Sequence, residues 1–149
     1  MPSYVSMLVH CVWSTKERKP LIAEEWSDDL YGYLGGILRN NRATLLAAGG
    51  MPDHVHLLMS LPSTLPVAKT VNLLKSNSTT WVKEQIASAR QFRWQERYGA
   101  FSVSKSHEER IRTYIANQKR HHARRPFQAE FLALLEKHGV EYDERYIWD

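Results

Sequence analysis

Ala43-Thr44-Leu45-Leu46-Ala47-Ala48-Gly49-Gly50-Met51-Pro52-Asp53-His54-Val55-His56-Leu57-Leu58-Met59-Ser60-Leu61 reads as two apolar strands around a sharp turn. Ala43 to Ala48 forms the first, ended by Gly49-Gly50. Met51-Pro52-Asp53 turns the chain, and His54 to Leu61 forms the second. So short a connection points to an antiparallel hairpin. Before it, Trp26, Leu30, Tyr33, Leu34, Ile37 and Leu38 recur at helical spacing from about Glu24 to Asn40. After it, Pro66 fits the first turn of another helix through Leu73, Leu74, Trp81 and Val82. The run Ser76-Asn77-Ser78-Thr79-Thr80 has poor helix propensity and predicts a break there.

The outer elements complete the pattern. Tyr4 to Trp13, rich in Val, Leu and Met, reads as a strand, and Tyr98 to Ser104 as another. Ser106-His107-Glu108-Glu109 matches a capping box opening a helix that should stop near Arg125, before Pro126. A shorter amphipathic helix, Phe127 to Lys137, precedes an aromatic tail. The order is β-α-β-β-α-β with helices appended. This is an α+β fold of ferredoxin-like (RRM-like) type: an antiparallel sheet with helices on one face, plus a C-terminal helix carrying Tyr114. The 149 residues fit a single domain, residues 1–149.

Composition excludes some classes. Hydrophobic residues make up 43% of the chain, enough for a core, so disorder is not expected. The one cysteine, Cys11, rules out an internal disulfide and reads as a buried small hydrophobe. No basic leader and no apolar run of roughly 20 residues is present, so a cytoplasmic protein is expected. A formal charge of +4 suits a polyanionic partner without requiring one. Lys105, Arg110, Arg112, Lys119, Arg120, Arg124 and Arg125 crowd one segment, either a solvated helix face or a nucleic-acid contact.

Two groupings carry chemistry. Residues two apart on a strand share a face, so His54 and His56 project together while Val55 points away. Such a pair can share one divalent cation and leaves coordination positions open, as a catalytic site requires. Asp53 reads first as a turn residue and second as a hydrogen-bond partner for a histidine. A lone H-x-H also describes ordinary histidines. On the later helix, Tyr114 and Gln118 stand four apart on one face, and Gln118 offers a carbonyl oxygen as a third metal ligand. Tyr114 would then lie one turn from the cation, where a nucleophile belongs. A phenol titrates near 10 and needs help from a cation and nearby Arg or Lys. Spacing alone favours Tyr114 as an aromatic packing on the sheet, although it borders the apolar face marked by Ile111 and Ile115 rather than occupying its centre.

Taken in order, these motifs resemble the HUH single-tyrosine transposases, the small enzymes of insertion sequences and their REP-associated relatives. Trp13-Ser14-Thr15-Lys16 followed by Arg18 is similar to the family's opening. Met51 to Leu58 is similar to its metal motif, Tyr114-Ile115-Ala116-Asn117-Gln118 to its nucleophile helix, and Glu141 to Tyr146 to a common ending. The resemblance implies a transposase that cleaves and rejoins single-stranded DNA at hairpin-marked element ends. It implies a 5′-phosphotyrosine on Tyr114 and a divalent metal, Mg²⁺ or Mn²⁺, on His54, His56 and Gln118. It also implies a homodimer in which one subunit's tyrosine helix can complete its partner's histidine pair. Lys16, Arg18, Lys75, Ser78, Arg120 and Arg124 are the expected DNA contacts. Ser76 departs from the glycine that the family often carries in that stretch. The competing reading is a non-catalytic, domesticated hairpin-binding regulator on the same fold. A replication initiator with the same chemistry would usually carry further domains.

Overall fold

The computed structural model describes residues 3–119 and 125–149. Four strands form one antiparallel sheet: β1 (Leu8–Ser14), β2 (Thr44–Met51), β3 (His54–Ser60) and β4 (Gly99–Val103). Their order across the sheet is β2-β3-β1-β4, which puts β3 and β1 at the centre. The helices are α1 (Glu24–Asn40), α2 (Val67–Gln85), α3 (Glu108–Ala116) and α4 (Phe127–Lys137). The predicted β-α-β-β-α-β order is therefore the observed one.

Strand alternation sorts the side chains into two layers. Val9, Cys11 and Trp13 of β1 and Val55, Leu57 and Met59 of β3 face α1 and α2, meeting Leu30, Leu34, Leu38, Val71, Leu74 and Val82 in the main core. Cys11 is fully buried there, and burial pushes its thiol up to about 12, so it packs as a hydrophobe. The opposite face carries Leu8, His10 and Val12 with His54, His56 and Leu58. It is covered by α3 through Ile115 and by α4 through Phe127, Phe131 and Leu135. Both faces are thus layered with helices, and the second layer holds the polar residues.

Several boundaries differ from expectation for identifiable reasons. β2 does not end at Gly49-Gly50 but runs to Met51, because both glycines pair with β3 opposite His56 and Val55. β1 begins only at Leu8, the first residue paired to a neighbour, and Tyr4 stays exposed. α2 is unbroken through its polar run. Ser76 Oγ donates to the Asn72 carbonyl (2.7 Å) and Thr79 Oγ1 to the Lys75 carbonyl (2.8 Å), so these hydroxyls bond within their own helix. Pro66 sits just before that helix rather than in its first turn. The capping box does not form. Ser106 lies in a 3-10 turn, and Glu108 instead accepts from Lys105 Nζ (2.6 Å) and Arg112 Nε (2.8 Å). α3 is interrupted at Asn117, after which Gln118 and Lys119 are helical again.

Candidate active site

The hairpin predicted from sequence delivers His54 and His56 side by side on the covered face of β3, both fully buried. Four neighbours surround their rings. His54 Nδ1 lies 2.7 Å from Asp53 Oδ1, and because a carboxylate can only accept, that nitrogen carries the proton. Asp53 therefore serves the turn and orients His54 as well. His54 Nε2 lies 3.1 Å from Gln118 Oε1 and 3.6 Å from Glu130 Oε1. His56 Nε2 is 2.9 Å from the same Glu130 Oε1, and its Nδ1 is 2.9 Å from His10 Nε2.

Glu130, on α4, is the centre of the arrangement. Its Oε1 faces the two histidines, while its Oε2 accepts from Tyr114 Oη and from Gln118 Nε2 at 3.1 Å. Tyr114 is half-buried, with its ring edge-on to His56 (5.7 Å between centroids) and to His10 (6.2 Å). Burial, then the hydrogen bond and charge of Glu130, push its phenol well above the usual value. His10 is buried beside His56, and desolvation first, then His56, pulls it down to about 3, so it is neutral.

One chain thus brings together His54, His56, Tyr114 and Gln118, the four residues expected of the site. Sequence reading missed Glu130 and His10. A signal existed for Glu130: it shares a helix face with Phe127 and Leu134, and a carboxylate on an apolar face must have a partner. His10 gave none, being one polar residue in an apolar strand.

The expected DNA contacts are dispersed. Lys16 and Arg18 lie in a 3-10 turn tied to the active-site hairpin by Thr15 N donating to the Asp53 carbonyl (2.9 Å). Lys75 Nζ donates to the carbonyls of Gln95 (2.8 Å), Glu96 (3.2 Å) and Arg97 (2.9 Å), and burial brings it down to about 8. Ser78 is buried and accepts from Trp94 Nε1 (2.9 Å). These two side chains spend their polar atoms inside the fold. Arg120 and Arg124 lie outside the described residues.

His54 Nε2, His56 Nε2, Gln118 Oε1 and Glu130 Oε1 converge on one spot. His54, His56 and Glu130 each offer an atom within 4.8 Å of the others. Two nitrogen donors from β3 and a carboxylate from α4, with Gln118 adjacent, could hold a divalent cation.

A four-stranded antiparallel sheet bearing a His-x-His pair, faced by a helix tyrosine, defines the class of small tyrosine transposases. Residues 3–118 match the family model described as IS200-like transposase, and the chain belongs to that family. It is 28% identical over 116 residues to the ISDra2 transposase TnpA of Deinococcus radiodurans, covering 73% of this chain and 81% of that one. A Deinococcus radiodurans R1 protein assigned as a transposase, of known crystal structure, superposes with a TM-score of 0.63 at 27% identity, over 78% of this chain and 93% of that one. A REP-associated tyrosine transposase bound to a REP hairpin superposes with a TM-score of 0.56 at 14% identity, over 78% of this chain and 69% of that one, a likeness of fold. The protein is a transposase of this family, with the DNA cutting and strand transfer that the family implies.

Proposed function

We propose that this transposase cleaves and rejoins single-stranded DNA at hairpin-marked element ends through a 5′-phosphotyrosine on Tyr114. A divalent cation, Mg²⁺ or Mn²⁺, would be held by His54, His56, Gln118 and Glu130. The observation that carries this reading is the shared carboxylate. Glu130 turns one oxygen to the histidine pair and the other to the Tyr114 hydroxyl, so nucleophile and acceptor cluster form one unit.

Tyr114 Oη gives its proton toward Glu130 Oε2 and attacks the scissile phosphorus in line. The new bond is Tyr114 Oη–P. The bond that breaks joins phosphorus to the 3′ oxygen, which leaves with the electron pair and takes up a proton as a free 3′-OH. Rejoining reverses the step, with a 3′-OH attacking the phosphotyrosine and the phenol regaining its proton. When bound, the cation would withdraw charge from the phosphate and favour the phenolate against the burial that opposes it. Asp53 orients His54, and His10 would accept from His56 Nδ1 when a cation occupies His56 Nε2. The hairpin comes from the family resemblance, and one structural neighbour is bound to a REP hairpin.

The test is denaturing electrophoresis of purified protein with hairpin-bearing single-stranded DNA and Mn²⁺. Wild type should form a covalent adduct that EDTA prevents. Tyr114→Phe should form none while keeping hairpin affinity within about threefold. An undiminished adduct in that variant would sink the role of Tyr114. Tight hairpin binding by wild type, with no adduct at any metal concentration, would favour the non-catalytic regulator.

A further inference from the structure

Between β4, α3 and α4 lies a cavity of about 470 Å³ whose lining includes His10, His107, Arg110, Tyr114, Lys137 and His138. It reaches the nucleophile from the side away from β2. Arg110 and Lys137 are exposed, come from different helices, and form no ion pair among the described residues. The lining residues include no carboxylate. The two imidazoles are held in place: His107 Nδ1 is 2.6 Å from Ser104 Oγ. His138 donates through Nδ1 to the Leu134 carbonyl (2.9 Å) and stacks on Phe101 at 4.5 Å. Two exposed cations beside a tyrosine suit a phosphodiester chain, the apolar part of the lining (Val103, Ile111, Leu134) suits a base or sugar, and the volume suits one nucleotide.

We propose that this cleft holds the DNA strand next to the scissile phosphate, with Arg110 and Lys137 each neutralising one flanking phosphate. It rests on the transposase reading of Tyr114. Lys137 and His138 lie beyond the residues matched by the family model. α4 therefore contributes to substrate binding as well as contributing Glu130.

The experiment compares wild type, the double variant Arg110→Ala/Lys137→Ala, and Arg39→Ala on the far helix α1. It measures adduct formation with hairpin DNA as a function of DNA concentration, and strand affinity by fluorescence anisotropy at several salt concentrations. In the double variant, the DNA concentration for half-maximal adduct should rise about tenfold, with the saturating rate kept within about twofold. The slope of log affinity against log salt should shrink by about 1.4, roughly 0.7 for each lost phosphate contact on a single strand. Arg39→Ala should match wild type, and both variants should keep the wild-type melting temperature. Unchanged half-saturation and salt slope would overturn the cleft, as would a lowered saturating rate at unchanged half-saturation. Persistence of the adduct in Tyr114→Phe would overturn the underlying reading instead, and anisotropy would still report on the cleft.

Discussion

At the residue scale, Glu130 is an expensive choice that needs a counterpart. Only 1% of its surface is exposed, and an unpaired buried carboxylate costs several kcal/mol. Tyr114 and Gln118 donate to Oε2, and Oε1 lies 2.9 Å from His56 Nε2 and 3.6 Å from His54 Nε2. A cation held there would set its charge directly against the carboxylate. Glu130→Gln keeps the shape and removes the charge, so Mn²⁺ affinity should fall at least about tenfold, read as free Mn²⁺ by electron paramagnetic resonance. Equal affinity in the two proteins would remove Glu130 from the ligand set. His10 gives a second expectation, on stability of the metal-free protein. Its folded pKa is near 3 against an ordinary 6.5. Between those values the unfolded chain binds a proton that the folded one refuses. Stability must then rise with pH through that window and be lost on acidification from pH 6.5 toward 3. His10→Phe should remove up to one proton's worth of that slope, about 1.4 kcal/mol per pH unit, in urea titrations from pH 7 to 4 with chelator present. An acid slope equal to wild type would mean that His10 takes up its proton in the folded state as well.

At the element scale, the site depends on how closely α3 lies on β2. A Cβ at Gly49 would sit 2.5 Å from the Ile115 carbonyl oxygen and 3.1 Å from Ile115 Cγ2. Ile115 adjoins Tyr114 and stands three residues before Gln118, so Gly49→Ala must push the tyrosine helix away from the sheet. Overpacking of this kind costs about 1–3 kcal/mol, visible in the urea midpoint. Displacing a nucleophile by about 1 Å can cost about a hundredfold in rate, so adduct formation should fall by that order while hairpin affinity changes little. Wild-type rate and stability in Gly49→Ala would show that α3 sits farther out. Gly49 also marks where sequence legibility stops. As a local signal it announced the end of a strand, whereas its actual role is to admit a helix some 65 residues later in the chain (a tertiary contact). The same division runs through the site. His54 and His56 were legible because strand alternation is local, and Gln118 because it lies one turn from Tyr114. Glu130, His10 and the three carbonyls that engage Lys75 are long-range pairings, which periodicity does not encode. The Ser106 capping box failed for a local reason: Ser106 sits inside a 3-10 turn, where its hydroxyl meets Ser104 and His107.

At the scale of the whole molecule, the question is which chain supplies the tyrosine. The family resemblance allows the tyrosine helix of one subunit to serve its partner's histidines. Here α3 packs on the sheet of its own chain, and Tyr114, Gln118, Glu130, His54 and His56 join through hydrogen bonds within that chain. Gln118 and Glu130 tie the helix to the histidines from two directions, so moving it to a partner would break several buried polar contacts at once, each costly if left unmade. The cis arrangement is therefore the expected resting form of the homodimer that the family resemblance implies, and a mixed dimer distinguishes it from exchange. One subunit carries Tyr114→Phe with intact histidines, the other His56→Ala with an intact tyrosine, and the two are co-purified on different affinity tags. With sites built in cis, neither subunit has both parts, so adduct should fall to the level of the single variants. With sites built in trans, one of the two sites in each mixed dimer is complete, and about half the wild-type adduct should appear, always on the subunit bearing His56→Ala. Adduct at that level, on that subunit, would show that α3 leaves its own chain before cleavage. The Glu130 hydrogen bond to Tyr114 would then belong to a resting state that must open before DNA is cut.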